Sequence, residues 1–391
     1  LSHFTLKASY SLTADRGPAD VTNSQAIITS YSPYRPFTSI QESGLYIKEL
    51  ENSELTYEKK HELNIGADMG FLNNRINLAV DWYKRNNYDL IGIVNTQGAG
   101  GQILKYANIA SMKSHGIEFT LSTKNIKTKD FNWNTDFIFS NAKNEVTDLK
   151  QNANVMELIS GNGFAKQGYP VRGLFSIPFV GLDKDGIPVI INEKGEATST
   201  DINFQERQNT GFLKYEGPTD PTITGSLGNM FSYKGFRLNL FITYSFGNVI
   251  RLNPVFKAYY SDLTAMTREF KNRWTLPGDE AKTNVPAILS KRMYDSNEDL
   301  KYAYNAYNYS TERIAKGDFI RLKEISLAYD FPKAWINPLK LTDLSLKVQA
   351  TNLFLIYADD KLNGQDPEFF NAGGVASPVP RQFTITLRLG L

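Results

Sequence analysis

The fold class that the sequence predicts is all-β: an antiparallel transmembrane β-barrel, present here as a run of roughly ten strands. Three observations carry the prediction. Two-residue alternation is sustained over long segments, the composition is polar on average yet rich in aromatics, and the connections alternate between long and short.

Alternation places successive side chains on opposite faces of a sheet. Near the start, Phe4, Leu6, Ala8 and Tyr10 share one parity. Ile76, Leu78, Val80 and Trp82 repeat the scheme against Asn77, Ala79, Asp81 and Tyr83. So do Leu238, Leu240, Ile242, Tyr244 and Phe246, then Leu344, Leu346, Val348 and Ala350. The last segment, Arg381 to Leu391, sets Phe383, Ile385, Leu387 and Leu389 against Thr384, Thr386, Arg388 and Gly390. These runs approach the length a tilted strand needs to cross a bilayer, whereas strands of soluble sandwiches are shorter. One strand breaks phase. Ile320 and Leu322 share one parity and Ile325, Leu327 and Tyr329 the other, which predicts a β-bulge near Lys323 and Glu324.

Composition agrees. Hydrophobic residues make up 41% of the 391 residues and aromatics 13%, with 21 Tyr and 24 Phe. Mean hydropathy is -0.36, and no apolar stretch of about 18 residues marks a membrane-spanning helix. A soluble, carbohydrate-binding all-β protein has a similar composition; strand length favours the barrel. Cysteine is absent, which excludes disulfides and thiolate metal sites. A net charge of +2 gives no basis for a nucleic-acid partner. The sequence opens at Leu1 without a basic and apolar leader. Because a barrel must be exported, a leader is expected outside these residues.

Phe71 to Arg75, Lys124 to Phe131 and Tyr233 to Phe236 read as tight polar turns. Between them lie long segments, about Asp15–Tyr57, Lys150–Pro221, Arg251–Lys316 and Tyr357–Pro380. Asn95 to Gln102 is a short connection on the long side, and Phe331 to Asp343 a longer one on the turn side. Short periplasmic turns and long extracellular loops produce this asymmetry in outer-membrane barrels.

The segment Asn52 to Lys84 resembles the barrel of SusC/RagA-type TonB-dependent transporters of Bacteroidetes. Asn108-Ile-Ala-Ser-Met-Lys-Ser-His-Gly-Ile-Glu-Phe is similar to the family's Asn-x-Gly-x-Met-x-Asn-x-Gly-x-Glu pattern, with Ala110 and Ser114 departing from it. Phe131-Asn-Trp, Asn141-Ala-Lys-Asn-Glu-Val, Gly168-Tyr-Pro-Val, Gly181-Leu-Asp, Asn272-Arg-Trp-Thr, Asp318-Phe-Ile-Arg-Leu-Lys, Asn352-Leu-Phe and Asp366-Pro-Glu follow in order. Collinearity, rather than any one match, carries the likeness. Leu391 stands where barrel proteins commonly end in Phe. The resemblance implies the C-terminal part of a barrel of about 22 strands. It further implies a plug upstream, energy from TonB through ExbB and ExbD, and a SusD-like surface lipoprotein as lid. On that reading Arg381 to Leu391 pairs with a strand outside the sequence, and this chain alone does not close.

Chemistry-bearing residues are sparse. His3, His61 and His115 lie too far apart in sequence for a ligand motif, and no compact nucleophile–base motif suggests catalysis. Gly98-Ala-Gly-Gly101 lacks the strand–turn–helix context of a phosphate loop. No cofactor and no enzyme activity are expected. Asp359, Asp360, Asp366 and Glu368 form a weak Ca²⁺ candidate, although their spacing is not that of an EF-hand and a hydrogen-bonded loop is the plainer reading. Tyr259, Tyr260, Trp274, Tyr302, Tyr304, Tyr307 and Tyr309 are the candidates for ligand or lid contact, with packing inside the loop as the alternative. Trp82, Trp133, Tyr244 and Tyr329 read as membrane-girdle aromatics. Asp81, Glu118, Asp136, Arg237 and Arg388 are expected to face the lumen.

The expected function is import of a bulky nutrient, a glycan or oligopeptide, with a SusD-like partner. The alternative is a barrel that serves as a structural subunit of a larger outer-membrane assembly. A barrel protease or lipase and a soluble lectin-like protein are weaker rivals.

Overall fold

Strands that alternate polar and apolar residues should pair into a sheet with two unlike faces, and the computed structural model contains one. It describes residues 1–17, 25–32, 43–95, 98, 103–254, 268–370 and 379–391. Ten strands make a single antiparallel sheet in chain order. They are β1 (His3–Asp15), β2 (Glu58–Phe71), β3 (Ile76–Asn95), β4 (Leu104–Lys127) and β5 (Phe131–Leu149), followed by β6 (Ile223–Tyr233), β7 (Phe236–Phe246), β8 (Phe319–Asp330), β9 (Asp343–Ala358) and β10 (Gln382–Gly390).

The register fixes the faces. One row across nine of the strands runs Phe4, Met69, Leu78, Leu121, Phe137, Leu227, Ile242, Leu322 and Phe354, apolar at each. A row on the opposite face runs His3, Gly70, Asn77, Ser122, Asp136, Gly228, Phe241, Glu324, Thr351 and Gln382, with one apolar side chain. Apolar side chains such as Leu6, Ile385 and Leu387 remain exposed on their strands. An apolar sheet face that no layer covers among the described residues calls for an apolar surrounding.

The predicted bulge is present. Lys323 has no partner where Phe241 and Ile242 of β7 meet Glu324 and Leu322, and Asn352 and Leu353 of β9 stand opposite it. Asn352 takes the left-handed conformation, φ 54°, which Asn tolerates better than most residues.

The buried core lies almost wholly outside this sheet. Val155, Leu158, Ile159, Phe175, Ile177, Ile190 and Ala306 form one cluster, and Ile187, Phe270, Leu289, Ala303, Tyr304 and Tyr307 another. Both come from the long connections after β5 and β7. These segments are therefore a folded cap rather than the loops expected from sequence. Its strands are short: Gly173–Ser176 pairs with Lys214–Pro218, and Pro188–Ile191 with Phe179–Leu182 and Ala197–Thr198. The helix Val155–Ile159 begins with a capping box in which Asn154 accepts from the Glu157 amide and Glu157 accepts from the Asn154 amide. The helix Leu300–Asn308 contributes to both clusters. Turn-side connections are short, except that Lys333–Ile336 forms one helical turn between β8 and β9.

Candidate functional site

Sheet and cap meet where β8 and β9 leave the sheet. Beyond the bulge, Arg321 stands opposite Thr243 of β7, on the polar face. Its Nη2 donates to both Asp366 oxygens at 2.5 and 2.7 Å and lies 3.3 Å from Glu368. The Arg321 and Asp366 side chains are only 6% and 8% exposed. A two-oxygen, charge-assisted contact of this kind fixes geometry as well as charge. Asp366 also accepts from the Glu368 amide, starting the 3-10 turn Pro367–Phe369.

Two further contacts hold the same segment. Asp359 accepts from the Lys316 amide at 2.7 Å, and Leu362 is buried against Ile250, Leu252 and Ala315. The segment 359–370 is thus strapped to β8, to the cap strand Ile314–Lys316 and to a small apolar cluster. It borders a cavity of about 1010 Å³ whose walls include Arg321, Asn352, Gln365, Phe369 and Arg381.

Of the two readings of these carboxylates, the arrangement is that of a hydrogen-bonded and ion-paired loop. Asp366 and Glu368 face a guanidinium, Asp359 accepts backbone amides, and among the described residues no group of three acidic or histidine ligands converges. The carboxylates neutralise Arg321 and cap turns instead.

The aromatic candidates divide. Tyr304 and Tyr307 are buried in the cap core, 1% and 2% exposed. The Tyr304 hydroxyl donates to the Ala287 carbonyl at 2.6 Å, and the Tyr307 ring meets Phe179 edge-on at 5.4 Å. Burial pushes the Tyr307 phenol up. Both pack the cap rather than face a ligand, because the helix turns them inward. Tyr302 is exposed and Tyr309 half-buried beside the Arg251 guanidinium. Tyr259 and Tyr260 lie outside the described residues.

Trp274 donates its indole N–H to Glu280 at 2.9 Å. That bond first, with the Gly278 amide, holds the Glu280 carboxyl below its ordinary value of 4.5. Asp279 is lowered from 3.8 by the Leu276 amide and the Thr275 hydroxyl and amide. Groups lowered in the folded state stabilise fully above their unfolded pKa, and that contribution is lost as pH falls through the folded one. Trp274 emission is therefore expected to hold steady above pH 4.5 and to shift on acidification below 3.8. Subtracting the Trp274→Phe spectrum isolates the signal; a shift centred near neutrality would contradict the assignment.

Asp81, Glu118, Asp136, Arg237 and Arg388 all fall on the polar face. Asp81 opposes Glu118, Asp136 accepts from the Ser122 hydroxyl at 2.7 Å, Arg237 pairs with Asp330 at 2.9 Å, and Arg388 lies 3.7 Å from Asp343. Arg321, Asn352, Arg381 and Arg251 enter the sequence reading only within motifs or at segment bounds, and not as site candidates. Arg251, next to the end of β7, is buried and donates to the carbonyls of Phe175 and Ser310 and to the Ser176 hydroxyl. Burial lowers its guanidinium to about 9, so it stays charged at neutral pH and ties the short strand Val249–Arg251 to Phe175, Ser176 and Ser310 of the cap.

Comparison with known proteins places this architecture. No family model matches the chain. TonB-dependent receptor P3 of Formosa agariphila is 25% identical over 368 residues, 87% of this chain and 34% of that protein. TonB-dependent receptor SusC of Bacteroides thetaiotaomicron is 26% identical over 364 residues, 87% of this chain and 32% of that protein. The RagAB peptide importer in its open-open state superposes with a TM-score of 0.76 at 24% identity, covering 100% of this chain and 40% of that one. The fold is that of a TonB-dependent outer-membrane barrel. The chain resembles the SusC/RagA type and spans between 32% and 40% of the curated relatives it matches.

In an outer-membrane barrel the uncovered apolar face lies against lipid. Leu240→Arg, mid-strand on that face, is expected to lower barrel stability by about 2–4 kcal/mol, whereas its neighbour Asn239→Arg on the polar face costs about 1 kcal/mol or less. Urea titration of the full-length protein in lipid, read by tryptophan emission, compares them. Equal effects would refute the two-faced sheet.

Proposed function

We propose that this chain is a portion of an outer-membrane importer that, together with a SusD-like surface lipoprotein, takes up a bulky nutrient, a glycan or an oligopeptide. The observation that carries the reading is similarity to TonB-dependent receptors, along 99% of the chain for receptor P39 and 87% for SusC. The polar face, with Asp81, Glu118, Asp136, Arg237 and Arg388, lines the passage, and the cap and the strapped segment 359–370 stand at its outer mouth. Energy enters from TonB through ExbB and ExbD by way of regions beyond these residues. No covalent step is assigned to the chain.

The test is uptake. Cells lacking the full-length protein should lose accumulation of one nutrient class, and loss of TonB should produce the same defect. Co-purification of a single SusD-like lipoprotein supports import. Unchanged uptake of glycans and peptides, with the barrel held in a stable multi-protein assembly, would refute it in favour of a structural subunit.

A further inference from the structure

We propose that the cavity beside β9 is a strand-addition site for a short extended peptide, which pairs antiparallel with the edge from Leu353 to Ala358. The proposal deepens the import reading by naming a ligand class and a place where it binds.

The backbone supplies the first argument. β10 pairs with β9 only from Asp343 to Thr351, so from Asn352 to Ala358 the edge of β9 away from β8 has no strand partner among the described residues. That edge forms a wall of the cavity. At the rise of a strand it is roughly 20 Å long, enough for about six residues of an added peptide. Open edges recruit strands, and natural proteins ordinarily cover or blunt them.

Side chains supply the second. Arg321 Nε and Asn352 Oδ1 are buried, have no hydrogen-bond partner, and belong to residues lining this cavity. Arg321 is 95% buried, with an exposure of 5%. One is a donor and the other an acceptor, the two functions carried by a peptide amide. A buried polar group left unmatched is costly, so a ligand that supplies the missing partners gains affinity and selectivity.

One described residue beside this edge is a proline. Continued upstream, the β10 register would bring Pro380 opposite Leu353. Proline cannot donate to a ladder.

Charge gives a direction. β9 runs towards Ala358, so an antiparallel peptide has its N-terminus near Asp360 and its C-terminus near Arg381, both exposed at the cavity. The acidic residue meets the ammonium end and the basic residue the carboxylate end. Ile356 and Phe369 offer apolar surface for side chains of the peptide.

The test uses the full-length protein in detergent and the free-terminus hexapeptide Thr-Val-Thr-Val-Thr-Val, measured by calorimetry beside two versions N-methylated at alternate amides of opposite parity. Only every second residue of an added strand points its N–H at the edge. One methylated version should therefore bind at least about tenfold more weakly, and the other as well as the parent. Amidating the C-terminus should cost about fivefold in the native protein and nothing in Arg381→Ala. An N-acetylglucosamine hexamer should not displace the peptide.

Equal loss with both parities, no binding of the parent peptide, or displacement by the sugar would overturn the proposal. Nutrient uptake in cells with no parity effect in vitro leaves import standing and removes this site. A parity effect in a protein whose loss changes no uptake does the reverse.

Discussion

Arg321→Ala is expected to release the segment 359–370 and to cost about 3–5 kcal/mol, the usual consequence of removing one partner from a buried ion pair. Asp366 is 8% exposed and would be left without its guanidinium, with Glu368 beside it. Arg321→Lys should recover only part of the loss, since a compact, strongly hydrated ammonium costs more to bury than a guanidinium and does not reach Asp366 and Glu368 in the same geometry. Hydrogen exchange of the full-length protein in detergent reads the effect directly: amides of 359–370 should lose protection while those of β6 and β7 keep theirs. The double variant Arg321→Ala/Asp366→Ala should be less damaged than the sum of the single ones, because it leaves no buried charge alone. Unchanged protection in Arg321→Ala would show that Leu362 and Asp359 hold the segment without the ion pair.

The second large effect is expected in the cap. Phe175 is 1% exposed and sits among Tyr169, Tyr215 and the Lys166 ammonium, with ring centroids at 5.0 and 5.3 Å and the cation 4.9 Å from its ring. Phe175→Ala should cost about 3–5 kcal/mol of cap stability, since truncating a packed ring forfeits its burial and leaves a cavity. Lys166 reports on the same place. Burial lowers its pKa, so opening the pocket should let it rise towards the ordinary 10.5. Phe164, 41% exposed, is the control, with Phe164→Ala expected within about 0.5 kcal/mol. Exchange protection of Val155–Ile159 and Leu300–Asn308 should fall in the first variant only. If protection in the ten-strand sheet fell equally, cap and barrel would be one cooperative unit.

What could be read in the sequence follows from the period of each element. Strands of nine to 24 residues give alternation many turns to declare itself, so six of the ten strands, the tight turns and the phase break near Lys323 are legible, while the other four enter only through the total of roughly ten. The cap was not. Its strands run from two to five residues, too short to show a period, and its partners come from separate connections. The inward turn of Tyr304 and Tyr307 depends on the helix Leu300–Asn308, which a run of tyrosines does not announce. Arg321 and Asp366 both fall in segments that resemble the family. Their pairing across 45 residues needs the register of β8 and the course of the strap, which neither segment carries alone.

The bulge at Lys323 has a consequence for how this strand tolerates change. β8 carries two reading frames. Polar-face residues are even-numbered from Glu324 to Ala328 and odd-numbered at Phe319 and Arg321, and Lys323 is the extra unit between them. A one-residue deletion within a membrane strand ordinarily turns everything beyond it inside out. Removing Lys323 alone would join the two frames so that Leu322 still faces Ile242 and Arg321 still faces Thr243. Removing Ser326 would leave Lys323 in place and drive one end of the strand out of phase with β7. Against β7, loss of one residue is therefore absorbed at Lys323, directly below the residue that ties the strap to the barrel, while on the β9 side it leaves Asn352 and Leu353 with no residue opposite.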